Sequence, residues 1–322
     1  MFRLIRNDFI FDDPIPVPEC HASTILKTGE NRFVAAWFGG SKEANPDVMI
    51  WSSYYRDNQW SKPRCITTET GIQHWNPVLL QLDETRIRLF YKLGFPIAEW
   101  KTFMLESVDE GENWTYLGEM VPGDISGGRG PVKNKVIRTS NGRILAPGST
   151  ENLPWRCFVD VSDDQGVTWE KSNIPLIGPH SNDFNLIQPS LWESDPGIIH
   201  AFIRSNRGCI YRSDSNDNGL TWCNAYVTEM PNNNSGLDCV YTENGHLILV
   251  CNPIGLNWGD RTPLSVFISD DNGVTFTKLL DLVDKDQKGE YSYPAVITDH
   301  RHIYITYTWQ RKKICFAEIE EC

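Results

Sequence analysis

Side chains able to hold charge or donate hydrogen bonds recur in this chain at one position of a regular spacing: His21; His74, Trp75 and Asn76; Lys133 and Lys135; Asp238; and Glu290. Each falls where a short extended segment begins. Imidazole, ammonium, carboxylate and amide groups gathered around one axis would be costly to bury dry, so a wet centre that binds a ligand is the expected arrangement. Lys133 and Lys135 would make part of that centre positive, and the indole of Trp75 suits the face of a sugar ring.

Two repeats in step would bring these residues together. The first reads Ser-x-Asp-x-Gly-x-x-Trp/Phe, from Ser107, Ser162, Ser215 and Ser269, with starts 55, 53 and 54 residues apart. A degenerate copy from Ser53 to Trp60 lies 54 residues before the first, with Tyr55 and Asp57 at its Asp and Gly positions. The second repeat is an extended segment with a turn: His21-Ala-Ser-Thr-Ile, Trp75-Asn-Pro-Val-Leu, Lys133-Asn-Lys-Val-Ile, Ile187-Gln-Pro-Ser-Leu, Gly236-Leu-Asp-Cys-Val and Ser292-Tyr-Pro-Ala-Val. Strands such as Ile87-Arg-Leu-Phe-Tyr and Ile303-Tyr-Ile-Thr-Tyr follow these segments, rich in β-branched and aromatic residues. No stretch carries a helical period.

A unit of about 54 residues with four strands is one propeller blade, and six units predict a single-domain, all-β, six-bladed β-propeller over residues 1–322. The sixth blade runs out of chain before its outer strand. Phe2-Arg-Leu-Ile-Arg and Phe9-Ile-Phe are the segments expected to fill that place and close the ring. In the Ser-x-Asp-x-Gly turn the carboxylate accepts backbone N–H bonds, the glycine permits positive φ and the aromatic packs between strands, so the motif is read as structural.

A net charge of −12 opposes binding to nucleic acid or to an anionic membrane, so an acidic ligand needs a local basic pocket. The N-terminus has no apolar run of signal-peptide length and no 18-residue apolar run occurs, which gives a cytoplasmic expectation. Nine scattered cysteines without C-x-x-C pairs suggest reduced thiols rather than disulfides or a zinc site, and no motif calls for a cofactor. Gly127-Gly-Arg-Gly130 opens no helix with Gly-Lys-Ser/Thr and is expected to be a mobile loop, not a phosphate cradle.

With these repeats the whole chain resembles the sialidase (neuraminidase) superfamily, in particular its bacterial branch with Asp-box repeats. Sialidases grip a substrate carboxylate with three arginines, a geometry suited to bidentate guanidinium forks. The resemblance places the second in Phe202-Ile-Arg204-Ser205, with Arg207 close by, and the third in Arg261-Thr-Pro-Leu-Ser. It implies a tyrosine nucleophile in Glu290-Tyr291-Ser292, because a carboxylate nucleophile would be repelled by the carboxylate on the anomeric carbon of such a sugar. It also implies an acid/base carboxylate in the loop Phe38 to Asp47, either Glu43 or Asp47. The chain departs from the family pattern twice. His21-Ala-Ser stands where the first arginine is usual, and Gln188 aligns with the glutamate that activates the tyrosine.

The resemblance implies an exo-acting glycoside hydrolase whose partner is a glycan ending in a carboxylated sugar, sialic acid or a relative. Two alternatives stay open. One is a propeller lyase on uronic acids, with His21 and Tyr291 as its proton-transfer pair. The other is a non-catalytic glycan-binding propeller.

Overall fold

The structure is a computed structural model that describes residues 2–12, 17–178 and 181–322. Six antiparallel sheets surround one axis, and in the first five the innermost strand comes first in sequence. The first blade runs Glu19–Gly29, Arg32–Gly40, Met49–Arg56 and Gln59–Trp60, with Arg64–Cys65 also paired to its third strand. The second is His74–Gln81, Ile87–Leu93, Lys101–Ser107 and Thr115–Glu119, and the third Ile137–Arg138, Ile144–Thr150, Arg156–Ser162 and Glu170–Asn173. The fourth is Leu186–Asp195, Ile198–Ser205, Cys209–Ser215 and Tyr226–Pro231, and the fifth Asp238–Tyr241, Leu247–Cys251, Leu264–Ser269 and Thr277–Val283. Tyr291–Asp299, His302–Trp309 and Lys313–Glu321 form three strands of the sixth, and Phe2–Phe9 pairs with Lys313–Glu321 as its outer strand. Sequence and structure therefore agree on the six-bladed fold and on its closure. Among the described residues no helix is long and apolar enough to cross a membrane.

Second strands are the most buried because both their faces meet neighbouring blades; Arg32–Gly40, for instance, is buried at every position after its first. Their continuous apolar character follows from that double burial.

The Asp boxes hold blades together rather than doing chemistry. In each, the serine Oγ accepts the glycine N–H, at 2.9 Å for Gly111, 2.8 Å for Gly166, 2.9 Å for Gly219 and 2.8 Å for Gly273. The aspartate accepts the N–H of Asn113, Thr168, Thr221 or Thr275. Gly219 has φ +79°, and a Cβ there would lie 2.8 Å from Leu145 of the preceding blade. Gly219→Val is therefore expected to lower stability by about 2–4 kcal/mol, combining a left-handed backbone with overpacking. Gly166→Val, whose nearest contact would be Trp169 at 3.3 Å, should cost less. Chemical denaturation of both variants checks the order; a Gly219 variant as stable as the parent would remove the inter-blade role.

Candidate functional site

The first turn of the innermost strand is irregular in the same way in several blades. Register shifts fall between His21 and Thr24, Trp75 and Val78, Ile187 and Ser190, and Ser292 and Ala295. Within each bulge one residue adopts positive φ: Ala22 at 54°, Asn76 at 42°, Gln188 at 55° and Tyr293 at 54°. In three blades that residue precedes a proline, Pro77, Pro189 or Pro294, which has no N–H to continue the ladder. A bulge re-aims a side chain, and here Asn76, Gln188 and Tyr293 all line one cavity of about 560 Å³. The connections from second to third strands supply the rest of the wall: Glu43, Trp100, Glu151, Trp155, Trp258, Arg261 and Arg311, with Arg204 at the end of its strand.

Guanidinium groups from the fourth and fifth blades lie against Tyr293, and a third, from the sixth, lines the same cavity. Arg204, buried at 3% exposure, donates to the Tyr293 hydroxyl at 2.8 Å, to Gln188 Oε1 at 3.1 Å and to Asn234 Oδ1 at 2.8 Å. Arg261 lies over the Tyr293 ring at 5.5 Å, donates to Ser292 Oγ at 3.3 Å and pairs with Glu290. Arg311 donates from Nε to the other Glu290 oxygen at 2.9 Å and from Nη1 to Glu43. Among the described residues, the Nη2 groups of all three arginines donate to no protein partner. Three donors thus remain for an anion.

His21 lies beneath, its ring 4.2 Å from that of Tyr293 and its Nδ1 3.0 Å from Thr308 Oγ1. Burial, then Arg311, Arg261, Arg204 and Lys133, push it well below the usual histidine range, so it is a neutral imidazole near pH 7. Its Nε2 has no hydrogen-bond partner and lies 3.9 Å from Glu290. Burial works to raise Glu290, but Arg261 and Arg311 outweigh it and hold the carboxyl below its ordinary value.

Several expected site residues lie elsewhere. Tyr291 is 2% exposed; its hydroxyl accepts from Gln310 Nε2 at 2.8 Å and faces the Lys288 carbonyl, and its ring packs in the core between the fifth and sixth blades. Tyr293, two residues on, is the tyrosine of the cavity, because the bulge turns it inward where the strand alternation alone would not. Asp47 caps its own loop through Ser41 N and Oγ, both at 2.8 Å, and does not line the cavity. His74 is fully buried, bonded to the Ile72 carbonyl and stacked on Tyr91. Arg207 lies over Phe184 at 4.6 Å, outside the cavity wall.

The expected wet centre is partly a dry one. Lys133, 2% exposed, donates to Asn134 Oδ1 at 2.7 Å, to the Leu237 carbonyl at 2.9 Å and to the Pro294 carbonyl, tying the third blade to the fifth and sixth across the axis; burial pulls it down to about 7. Lys135 pairs with both oxygens of Asp238, which also accepts from Ser190 Oγ and Val296 N. These groups satisfy one another and do not line the cavity. Gly127–Gly130, expected to be mobile, is pinned: Arg129 pairs with the buried Asp160 and with Asp124.

Arg311 escaped the sequence reading because Arg311-Lys-Lys looks like a solvated turn. Gln310 and Arg311 both have positive φ, and that turn points the guanidinium back over Glu290. A signal for Tyr293 was available, since it shares the pre-proline position of Asn76 and Gln188. A larger hollow of about 1040 Å³ runs along Phe2–Phe9, but its Arg6 and Asp8 pair with each other and it gathers no comparable set of groups. Among the described residues no cluster of histidine, cysteine and acidic side chains is disposed to hold a metal.

Comparison with solved structures finds the same ring elsewhere. A protein of unknown function from Dyadobacter fermentans superposes with a TM-score of 0.81 at 16% identity, over 100% of this chain and 99% of that one. The NanB sialidase from Streptococcus pneumoniae gives 0.75 at 12% identity, over 97% of this chain and 70% of that one. A leech intramolecular trans-sialidase gives 0.72 at 15% identity, over 94% and 68%. At such identities the likeness establishes the fold alone. No curated protein matches the sequence. The family model described as a BNR repeat-like domain matches residues 31–305, and the chain, with its Asp-box repeats and six-bladed ring, belongs to that family.

Proposed function

We propose that the axial cavity binds the terminal carboxylated sugar of a glycan, sialic acid or a relative, and that the protein is an exo-acting glycoside hydrolase that releases it. The observation that carries this reading is that Arg204, Arg261 and Arg311 line one cavity with Tyr293, each with an Nη2 that donates to no described protein group. A carboxylate held by three guanidinium groups is oriented as well as neutralised. Tyr293 Oη then attacks the anomeric carbon, the glycosidic bond breaks with its electron pair on the leaving oxygen, and water later releases the sugar with retained configuration. Gln188 cannot take the tyrosine proton. The neutral ring of His21, tilted against that of Tyr293 at 4.2 Å, is the base we assign to that proton, and Arg204 stabilises the phenolate. Glu43 fixes the Arg311 guanidinium.

Removing any of the three arginines should weaken carboxylated ligands relative to their neutral analogues by about 2–5 kcal/mol, the usual cost of breaking a desolvated charge-assisted pair. Calorimetric titration of Arg204→Ala, Arg261→Ala and Arg311→Ala with both ligand types measures it. Unchanged selectivity in all three variants would exclude an acidic-sugar site.

One observation favours a second reading. Tyr293 has no carboxylate partner, and a tyrosine beside a neutral histidine and a clamped carboxylate also suits β-elimination from a uronate, where neutralising the carboxylate acidifies the adjacent C–H. Incubation with sialosides and uronate-terminated oligosaccharides separates them: free sialic acid supports hydrolysis, an ultraviolet-absorbing unsaturated product supports elimination, and binding without either product makes the chain a lectin.

A further inference from the structure

Glu151 follows the strand Ile144–Thr150, at the same level of the third blade at which the fourth delivers Arg204, and it lines the axial cavity. Its Oε1 is buried and has no hydrogen-bond partner. The other carboxylates in the cavity wall or paired to its arginines are all engaged. Glu290 is held by Arg261, Arg311 and Ser292, Glu43 by Arg311, and Glu19 accepts the Glu43 N–H at 3.1 Å. Lys92, which stands behind Glu151, spends its ammonium protons on Thr102 Oγ1 at 2.7 Å and on the carbonyls of Arg129 and Gly130.

Glu151 as a whole is half-buried, and an ionised carboxylate with one oxygen sealed from water and unpartnered is disfavoured, whereas a carboxylic acid carries a proton to give. We propose that Glu151 is the proton donor of the cavity, a neutral carboxylic acid that protonates the leaving glycosidic oxygen. Its O–H proton passes to that oxygen as the C–O bond breaks, and the resulting carboxylate recovers a proton from the water that releases the sugar. The groups around it agree with this role. Burial pushes Glu151 above the ordinary glutamate value and Glu43 adds to the push, against Arg204 and Lys92, which pull it down. Glu290, which holds two of the arginines of that cavity, is shifted the opposite way. Two carboxyls driven apart by their surroundings are the usual basis for separate acid and anion roles. Arg204 also stands ready to stabilise the carboxylate left after transfer.

The inference rests on the hydrolase reading, and two measurements test it. In the intact protein labelled with ¹³C-carboxyl glutamate, the signal missing from Glu151→Gln should report a protonated carboxyl that persists above the pH at which free glutamate ionises. In kinetics, Glu151→Gln should lower kcat about 10²–10⁴-fold for a sugar leaving group but far less for a nitrophenyl glycoside, which departs without protonation. The alkaline limb of the pH profile should disappear with it. A Glu151 that ionises with the other glutamates overturns the proposal, as does a uniform loss across leaving groups, and the hydrolase survives both results. Absence of turnover by the parent protein on every carboxylated glycoside overturns the hydrolase and the donor role together.

Discussion

Tyr293→Phe is expected to lower turnover by about 10³-fold or more, because deleting a nucleophilic oxygen removes the covalent step itself. Tyr291→Phe should keep turnover within a few-fold and cost about 1 kcal/mol of stability through its lost bond with Gln310. The two tyrosines are separated by one residue, so the pair is a sharp internal control. A fluorinated substrate that slows the second step should trap a sugar on Tyr293, readable by peptide mass spectrometry. An adduct on Tyr291 instead would mean that the bulge at Ser292–Ala295 does not position the nucleophile. Elimination would give no adduct at all, and His21→Ala would then damage turnover at least as much as Tyr293→Phe.

This contrast also marks where sequence stopped informing on the site. The blades were legible because each Asp box repeats a local turn whose hydrogen bonds close within seven residues, and local chemistry is what a sequence displays. Arg204, Gln188, Trp75, Asn76, Glu43 and Arg261 were legible because they occupy recurring blade positions that face the axis. The tyrosine was misplaced because it was taken from the pattern Glu290-Tyr291-Ser292, which does not show that a positive-φ residue at 293 breaks the two-residue alternation of the strand. Arg311 was hidden for a related reason, since its side chain reaches the cavity through the backbone of a two-residue turn. Lys133, Lys135 and Asp238 were read as ligand-facing because the sequence shows that they approach the axis, but not that Lys133 finds its acceptors in the carbonyls of other blades. The exchange at the first-arginine position is a clear case: His21 stands there, while a guanidinium enters the same cavity from Arg311 in the sixth blade.

The largest effect on stability is expected from removing residues 1–12. Phe2–Phe9 covers the edge of Lys313–Glu321 with antiparallel pairs running from Phe2 opposite Glu321 to Phe9 opposite Cys315. It also joins three blades. Asn7 accepts from the Tyr307 hydroxyl at 2.9 Å in the sixth blade and donates to the Leu282 carbonyl at 3.2 Å in the fifth, and Arg6 donates to the Tyr55 hydroxyl at 2.9 Å in the first. Phe2 and Phe9 pack against the apolar cluster of the fifth and sixth blades, whereas Ile10 and Phe11 are buried in that of the first. Losing the segment exposes Lys313–Glu321 as an unpaired edge, a template for association with a second chain. Truncation is therefore expected to lower the melting temperature by about 10 °C or more, taking several kcal/mol at roughly 2–4 °C each for a chain of this size, and to drive the protein into aggregates on light scattering. A truncated chain that stays monomeric and melts within a degree or two of the intact one would show that the sixth blade stands on three strands. The site should fail with the ring, because Tyr293 and Arg311 both belong to that blade.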